Sequence, residues 1–265
     1  MKVHHLNCGT MRPPGTDPLI CHVLLIETGE GLVLVDSGYG HDDRTDPARI
    51  GAIKRVIRPD LTPHETAAAQ VVALGYDVAD VRHVVATHLD VDHIGGASDF
   101  PGAKVHTTAV ESAVAFSSGL RSRIRYRSRQ LDSFADRIVT HTPRGDWWRG
   151  FTDVMQLTEI SDGIALIAMP GHTLGHAAVA VDAGDHWILH CGDAFFHCGT
   201  VDGTTKTPLS LRLFEKAVAE DMRAVRRNHQ TLAELYQRGE SDLRIVCAHD
   251  PVMLATAQQA EASGR

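Results

Sequence analysis

The sequence predicts an α/β fold in which helices and β-sheets form separate layers. Short apolar runs rich in β-branched residues alternate with helical segments along the chain, a pattern typical of layered folds rather than of helix bundles. A block of strands followed by helices occurs twice, although no sequence repeat accompanies it. With 265 residues the chain can bury a substantial core, and we expect a single domain over residues 1–265.

The first block opens with a predicted β-hairpin. Two apolar runs, residues 20–27 and 32–36, are joined by Thr28-Gly29-Glu30-Gly31, a glycine-bearing turn sequence. A later helix is marked by Pro63 at its start and Gly75 at its end. The elements expected in this block besides the hairpin are helices over 47–58 and 63–75, strands over 81–86 and 103–106, and a helix over 108–116.

The second block begins near Phe151 and has three apolar runs separated by glycine-bearing turns. A long helical pattern and a last strand follow these runs, and a helix that starts at Pro251 closes the chain. The elements expected here are strands over 163–169, 177–181 and 186–191, a helix over 209–237, a strand over 242–248 and a helix over 251–262.

Residues 117–151 differ from both blocks. Arginines occupy every second position from Arg121 to Arg129, and Trp147 and Trp148 follow a turn-like sequence. One interpretation is a solvated basic face of a helix. The other is a lid or insert over a pocket, in which arginine attracts an acidic group of the substrate and tryptophan packs on its apolar part.

Composition and charge narrow the class of protein. The chain is 43% hydrophobic and 22% charged, as ordinary globular proteins are, and its formal charge of −7 argues against nucleic acid as a partner. It has no apolar run of the roughly 20 residues that a membrane span needs, and no secretory signal. Its five cysteines include no CxxC pair, so we expect a reduced, cytoplasmic protein that acts on a small molecule. The sequence is compatible with a homodimer.

The strongest chemical signal is the segment His88-Leu89-Asp90-Val91-Asp92-His93, which follows the predicted strand 81–86. Neutral imidazole and carboxylate together suit a divalent metal ion, and a loop at the end of a rigid strand can aim several of them at one point. The alternative is a solvated loop in which Asp92 only caps a helix. The remaining ligands of a metal site must come from elsewhere in the chain.

Further polar residues follow other predicted strands. His172 and His176 lie between two strands, Asp193 follows a third, and His249 follows the last. Asp36 ends a buried strand, where it either bonds the neighbouring backbone or orients a metal ligand from behind, and we favour the second role. Several such cases together make a shared site the better interpretation.

These motifs, HLDVDH, PGHTLGH, GDA and AHD in that order, together with VDSG at residues 35–38, resemble those of the metallo-β-lactamase-fold hydrolases over residues 3–251. The resemblance implies a four-layer αββα sandwich with a two-metal site at one edge between the sheets. It implies that one metal is held by His88, Asp90 and His172 and the other by Asp92, His93 and His249, with Asp193 bridging the two.

Asp90 departs from the family pattern, which has a histidine at that position. The implied cofactors are two divalent ions, zinc in the first place, with iron or manganese as alternatives because a carboxylate is harder and more negative than imidazole. His176 is not a ligand on this interpretation; it either hydrogen-bonds across the turn or supports packing, and we favour packing.

Within the family the motifs are most similar to those of the acyl homoserine lactonases. Those enzymes carry a tyrosine three residues after the bridging aspartate, which hydrogen-bonds the substrate carbonyl. Phe196 occupies that position here, and a phenyl ring cannot donate a hydrogen bond. His197 is the neighbouring candidate donor, and Phe195 and Phe196 are either pocket walls or core residues.

The resemblance therefore implies a metal-dependent hydrolase that opens a lactone or other carboxylic ester through a hydroxide held between two metals. Asp92 and Asp193 are the expected catalytic residues, because either carboxyl group could help protonate the leaving group. Two alternatives stay open. Asp90 suggests an iron-dependent oxidoreductase similar to the persulfide dioxygenases of this fold, and the altered motif suggests a non-catalytic metal-binding member.

Overall fold

Two six-stranded β-sheets face each other, and helices cover the outer surface of each. The computed structural model describes residues 1–263. The strand order is β1-β2-β3-β4-β5-β6 in the first sheet and β12-β11-β10-β9-β8-β7 in the second, so each half of the chain builds one sheet, apart from the last strand of the first. This is the four-layer αββα sandwich that the family motifs imply.

The first sheet is mixed. Its first three strands form an antiparallel meander, and the next three run parallel to the third through helical crossovers. The carboxyl ends of its third and fourth strands therefore lie at the same edge of the sheet. The strands are β1 (Lys2–Met11), β2 (Leu19–Thr28), β3 (Gly31–Val35), β4 (Val81–Val85), β5 (Lys104–Thr108) and β6 (Ile138–His141).

The second sheet is antiparallel except at one edge, where the last strand of the chain pairs parallel to its neighbour. As a result its third, fifth and sixth strands in chain order end at a common edge. The strands are β7 (Asp146–Trp148), β8 (Phe151–Gln156), β9 (Ile164–Ala168), β10 (Ala177–Asp182), β11 (Trp187–His190) and β12 (Leu243–Val246).

The helices are short in the first half of the chain and longer near its end. Within residues 1–263 every helix is too short or too polar to span a lipid bilayer. The α-helices are α1 (His41–Thr45), α2 (Lys54–Ile57), α3 (Ala67–Ala73), α4 (Val91–Ile94), α5 (Ala109–Ala115), α6 (Leu120–Arg125), α7 (Ser128–Leu131), α8 (Leu209–Val218), α9 (Met222–Gln237) and α10 (Pro251–Ala262).

Three apolar layers hold the sandwich together. Between the sheets, Ile26 and Val85 pack against Leu166 and Val179 of the facing sheet, all fully buried. The outer face of the first sheet packs on α3, and the outer face of the second packs on α9 and α10. Each large aliphatic side chain buried in this way contributes about 1.5–3 kcal/mol, so the two sheets form a rigid frame for the loops at their edge.

The structure corrects the predicted element list at several places. Strand β1 was not predicted, because His4, His5 and Asn7 interrupt its apolar pattern. It pairs with β2, and the His5 ring bonds the His22 ring on that strand at 2.9 Å. The predicted helices over 47–58 and 63–75 are also shorter, since each begins as a 3-10 turn before α2 and α3.

The predicted helix over 209–237 is two helices, α8 and α9, separated at residues 219–221. Asp221 caps α9 by accepting hydrogen bonds from the N–H groups of Arg223 and Ala224. The free N–H groups of Glu220 and Asp221 donate to the carbonyl of Gly171, and Glu220 also reaches that of His172. The break therefore provides donors that hold the loop after β9 in place.

Residues 117–151 contribute to both sheets. The segment supplies β6 at the edge of the first sheet and β7 at the edge of the second, with α6 and α7 before them. The helical part, residues 120–131, contacts the loop after β4, where Arg125 bonds Asp90 and Gln130 donates to the Val91 carbonyl. We therefore keep the proposal of a covering element for these two helices alone.

Candidate metal centre

The polar loops of both sheets meet at one edge of the sandwich. His88 follows β4, while His172, Asp193 and His249 follow β9, β11 and β12, whose carboxyl ends share that edge. The Ala177 N–H donates to the Thr87 carbonyl at 2.9 Å and ties the two sheets together here. The seven residues expected to bind metal all lie in this cluster, as two sets of four donors that share Asp193.

The first set, which we call cage A, consists of His88 Nε2, Asp90 Oδ2, His172 Nε2 and Asp193 Oδ2. The Asp90 oxygen lies 3.4 Å from His88 Nε2 and 3.1 Å from His172 Nε2. The Asp193 oxygen lies 3.8 Å and 3.3 Å from the same two nitrogens. All four residues are buried apart from Asp90, whose side chain is 17% exposed.

The second set, cage B, consists of Asp92 Oδ2, His93 Nε2, His249 Nε2 and Asp193 Oδ1. The Asp193 oxygen lies 3.3 Å from His93 Nε2 and 3.0 Å from His249 Nε2. The Asp92 oxygen lies 3.9 Å and 3.5 Å from these nitrogens. One oxygen of Asp193 thus faces each cage, as a bridging carboxylate requires.

Three donors of each cage lie close enough together to hold one divalent ion: His88, His172 and Asp193 in cage A, and His93, His249 and Asp193 in cage B. Donors placed about 2.0–2.2 Å from a tetrahedral ion are roughly 3.3–3.5 Å apart, close to the observed spacings. Within residues 1–263, the buried atoms His88 Nε2, His93 Nε2 and Asp193 Oδ1 are left without a hydrogen-bond partner. A buried polar atom in that state is costly unless something binds it, so the donor set fits a metal.

Three of the cage histidines are oriented by hydrogen bonds at Nδ1, the ring nitrogen that faces away from the cage. His93 Nδ1 bonds Asp36 Oδ2 at 2.8 Å, and His249 Nδ1 bonds the Ile20 carbonyl at 2.7 Å. His88 Nδ1 bonds the Thr87 hydroxyl at 3.0 Å. These acceptors assign the proton to Nδ1 and leave the Nε2 lone pair free to bind a metal.

Asp36 has the orienting role that we favoured from the sequence. Its carboxylate accepts from the Thr87 N–H at 2.7 Å and from the Thr87 hydroxyl at 2.9 Å, in addition to its bond with His93. Its backbone φ of 60° lies in the left-handed region, which aspartate and asparagine tolerate better than most residues. Asp36 thereby joins the loops that follow β3 and β4.

We expect the Asp36→Asn variant to bind metal about 10–100-fold more weakly. The amide can present a donor to His93 Nδ1 and so shift the ring proton to Nε2, the atom that faces cage B. A metal titration in competition with a chromophoric chelator measures the change. Asp185→Asn is the matched control, because Asp185 pairs with His186 Nδ1 at 2.7 Å on the surface. Equal metal affinity of both variants and the wild type would contradict the assignment.

The charges around cage B favour a cation. Burial lowers the pKa of His93, but the carboxylates of Asp193, Asp36 and Asp92 outweigh burial and leave it well above its usual value. Burial likewise raises the pKa of Asp193, and the surrounding histidines reverse that effect, so that its pKa lies well below the usual range. A field that stabilises a proton on His93 also attracts a metal ion.

Cage A contains a residue that the sequence did not assign to it, Arg125. Its guanidinium binds Asp90 in a bidentate manner, with Nε–Oδ1 at 2.7 Å and Nη2–Oδ2 at 2.6 Å, and Nη2 also donates to His172 Nε2 at 2.7 Å. Burial raises the pKa of Asp90, but the charge of Arg125 together with the His172 and His88 rings outweighs burial and keeps that pKa well below its usual value. Burial, reinforced by Arg125, lowers the pKa of His172 to about 4.

Glu111 is a second residue near the centre that the sequence did not assign to it. Its buried carboxylate accepts hydrogen bonds from the Leu89 N–H at 2.9 Å, the Tyr126 hydroxyl at 3.0 Å and the Thr173 hydroxyl at 2.6 Å. It thus links the loop after β4 and the loop after β9 to the end of α6. The pattern Thr108-x-x-Glu111 resembles an ordinary capping box, which conceals this role in the sequence.

His176 corrects one prediction, because it acts through hydrogen bonds rather than by packing alone. Its Nδ1 bonds the Met169 carbonyl at 3.0 Å, and its Nε2 accepts from the Asp193 N–H at 3.0 Å. Gly192 makes this possible, since a Cβ there would lie 2.7 Å from His176 Nε2 and its φ is +49°. His176 therefore positions the backbone of the bridging aspartate.

The expected pocket residues after Asp193 divide into three roles. The Phe196 ring lies 5.8 Å from the His172 ring and 5.4 Å from the His249 ring, so it walls both cages. Phe195 is fully buried in the core between the second sheet and its helices, which corrects its assignment to the pocket. His197 caps a short turn, where its Nδ1 accepts from the Gly199 N–H at 3.0 Å.

Trp147 and Trp148 do not line the centre, and their predicted pocket role is corrected. Trp148 is buried against Trp187, with ring centroids 5.5 Å apart, and Trp187 is the first residue of β11. Asp193 lies beyond the other end of that strand. Trp147 is 70% exposed on the edge strand β7.

The arginine-rich segment is in part the solvated basic face that the sequence left open, and its inward-facing arginine binds the protein itself. Arg125 points inward and bonds Asp90, whereas Arg121 and Arg123 are exposed and Arg129 pairs with Asp46 at the surface. The guanidinium of Arg125, which reaches the site, therefore binds a carboxylate of the protein rather than one of a substrate.

Comparisons with known proteins agree with this architecture. The family model described as the metallo-beta-lactamase superfamily matches residues 16–249. A probable metallo-hydrolase of Mycobacterium tuberculosis is 51% identical over 259 residues, which cover 97% of this chain and 83% of that protein. The N-acyl homoserine lactonase AttM of Rhizobium johnstonii is 28% identical over 240 residues, covering 89% of this chain and 84% of that protein.

Solved structures show the same fold. An N-acyl homoserine lactone hydrolase, with the product N-hexanoyl-L-homoserine bound at its catalytic metal center, matches with a TM-score of 0.69 and 19% identity. The match covers 96% of this chain and 95% of that chain. At this level of identity the likeness concerns the fold alone.

Proposed function

Because this chain belongs to the metallo-β-lactamase superfamily, we propose that it is a metal-dependent hydrolase of lactones or other carboxylic esters. The observation that carries the proposal is the pair of donor cages joined by Asp193, with His93 Nε2 and Asp193 Oδ1 buried and unpartnered within residues 1–263. The relatives named as N-acyl homoserine lactonases support an ester or lactone as the substrate class.

The residues of both cages would hold the metal ions, and each has a distinct part. Bound divalent ions would lower the pKa of a water molecule and polarise the carbonyl oxygen of a substrate. Asp92 is the more exposed of the two candidate catalytic carboxylates, with a side chain 14% exposed against 5% for Asp193. We therefore assign proton transfer to the leaving oxygen to Asp92 and the joining of the two cages to Asp193.

A cavity of about 500 Å³ adjoins the centre and offers room for the rest of the substrate. Phe196 contributes to its lining and, at the same time, packs against the cage histidines. Leu209, Leu211 and Met222 add apolar surface, while the charged and polar side chains in the lining are Arg212, Glu215, Lys216, Arg226 and His229. Such a lining suits a substrate with an apolar part and a charged or polar group.

Phe196 provides a test of the substrate side. We expect Phe196→Tyr to raise kcat/KM for N-acyl homoserine lactones about tenfold, since one added hydrogen bond to the reacting carbonyl is worth about 1.4 kcal/mol. Phe196→Leu, which removes the ring without adding a donor, is the control and should not gain activity. Steady-state kinetics with both variants decides the matter, and a gain in both or in neither would contradict the assigned position of the ring.

The pairing of Asp90 with Arg125 favours zinc over iron. The carboxylate that motivated an iron-dependent oxidoreductase is balanced by a guanidinium, so the pair carries the same net charge as the neutral imidazole it replaces. We therefore propose zinc as the metal and hydrolysis as the reaction. Elemental analysis of protein purified without added metal, combined with an oxygen-consumption assay, tests the choice.

The decisive experiment exposes zinc-loaded protein to a panel of lactones, esters and thioesters, with bound metal measured on the same sample. We expect turnover of at least one lactone or ester and no oxygen uptake. Metal-loaded protein that leaves the whole panel unchanged would overturn the proposed reaction. Oxygen uptake with an iron-loaded sample would support the oxidoreductase instead.

A further inference from the structure

The position of Arg125 makes the two cages unequal. All three nitrogens of its guanidinium make hydrogen bonds. Nε and Nη2 bind Asp90, and Nη1 donates to the Val218 carbonyl at 2.7 Å. Its side chain is only 15% exposed. The guanidinium is thus held between α6, the end of α8 and the loop after β4.

The same guanidinium engages two cage A donors. His172 Nε2, which has a single lone pair, accepts from Arg125 Nη2 at 2.7 Å and cannot bind a metal ion at the same time. Asp90 Oδ2, the oxygen nearest the two cage histidines, also bonds Arg125 Nη2 at 2.6 Å. An ion entering cage A must therefore displace one hydrogen bond and approach a permanent positive charge.

Cage B differs in both respects. The Nδ1 atoms of His93 and His249 bond a carboxylate and a backbone carbonyl, so their Nε2 lone pairs face the cage. The carboxylates of Asp92 and Asp193 lie beside them. An ion can therefore enter cage B by replacing imidazole protons, without displacing a guanidinium.

We propose that Arg125 competes with the metal ion for cage A, so that this protein binds one ion tightly in cage B and a second one weakly in cage A. The inference rests on the proposed function in taking both cages as metal sites. It adds that occupancy of cage A depends on release of His172 Nε2 by Arg125. A weakly held second ion would make the active fraction depend on the concentration of free metal.

The test is a zinc titration of metal-free protein against a chromophoric chelator, with metal content measured after desalting. For the wild type we expect about one retained ion and a second that binds about 100-fold more weakly, within the usual range of coupling between sites. In Arg125→Met the second ion should bind about tenfold more tightly or better, because Asp90 loses its competing partner while the first ion is unaffected.

Arg129→Met is the matched control, since Arg129 lies on the next helix and pairs with Asp46 at 2.7 Å on the surface. This variant should titrate like the wild type. If Arg125→Met fails to fold, as judged by circular dichroism, Arg125→Gln takes its place and is expected to show the same tightening.

Two results would overturn the inference. One is a wild type that binds two ions with equal affinity, and the other is a second ion that binds more weakly when Arg125 is replaced, which would make the arginine an organiser of the cage. The titration contains no substrate. A protein inactive on every ester can therefore still confirm it, and an active hydrolase with two equal sites would refute it while leaving the proposed function intact.

Discussion

Asp193→Asn should reduce kcat/KM for the best substrate by about a thousandfold, equivalent to about 4 kcal/mol of transition-state stabilisation. Asp193 Oδ1 faces His93 and His249, and Oδ2 faces His88 and His172, so one carboxylate serves both cages. Asparagine removes the charge and turns one of these two acceptors into a donor that points at an imidazole. Metal content should fall together with activity.

The measurement combines steady-state kinetics with elemental analysis of the same sample. Asp202→Asn is the control, because Asp202 accepts hydrogen bonds from Thr204 and Thr205 in the loop that follows and lies outside both cages. It should retain wild-type activity. An active Asp193→Asn enzyme with full metal content would show that the carboxylate does not join the cages.

Glu111→Ala should be the most destabilising single change near the centre. It leaves three buried donors unpaired, those of Leu89, Tyr126 and Thr173, at about 1–3 kcal/mol each. We expect a loss of about 3–5 kcal/mol in the free energy of unfolding, and a fall in Tm of about 10 °C for a chain of this size. Urea and thermal denaturation measure both quantities.

Glu111→Gln separates charge from hydrogen bonding. Its oxygen can still accept from Leu89 and Tyr126, and its amide can donate to the Thr173 hydroxyl, which also accepts. We therefore expect a loss of only about 1–2 kcal/mol. If the alanine variant were no less stable than the glutamine variant, the three hydrogen bonds would contribute little to stability.

The meeting of the cage residues at one edge could be predicted from sequence because four of them follow strand ends. His88, His172, Asp193 and His249 each follow an apolar run, and parallel strands bring such residues to one edge. The orienting role of Asp36 could be predicted for the same reason, since Asp36 follows β3. In these cases local pattern and chain order together determine the geometry of the site.

Arg125 and Glu111 could not be predicted, because their roles depend on tertiary packing. Arg125 is 35 residues from Asp90 in the chain and meets it only because α6 crosses the loop after β4. A signal existed, since a buried carboxylate in place of a neutral histidine needs a cationic partner. For Glu111, the capping pattern already accounted for a glutamate at that position. The sequence therefore gave no sign of its hydrogen bonds to Leu89, Tyr126 and Thr173.

Polarity and periodicity misled the remaining predictions. The histidines of β1 interrupt its apolar pattern, yet a ring such as that of His5 finds a partner on the adjacent strand. Helical periodicity continues through Ala219, but the backbone N–H groups of the next two residues are needed by Gly171 and His172. Interactions between distant segments decide such cases, and single-sequence patterns do not record them.

The break between α8 and α9 has a consequence for how this enzyme can diversify. The helices that line the cavity also hold the His172 carbonyl through Glu220, and Arg125 through the Val218 carbonyl. We therefore expect mutations in this helix pair that reshape the cavity to shift a donor of cage A as well. Substrate preference and the occupancy of cage A should therefore change together.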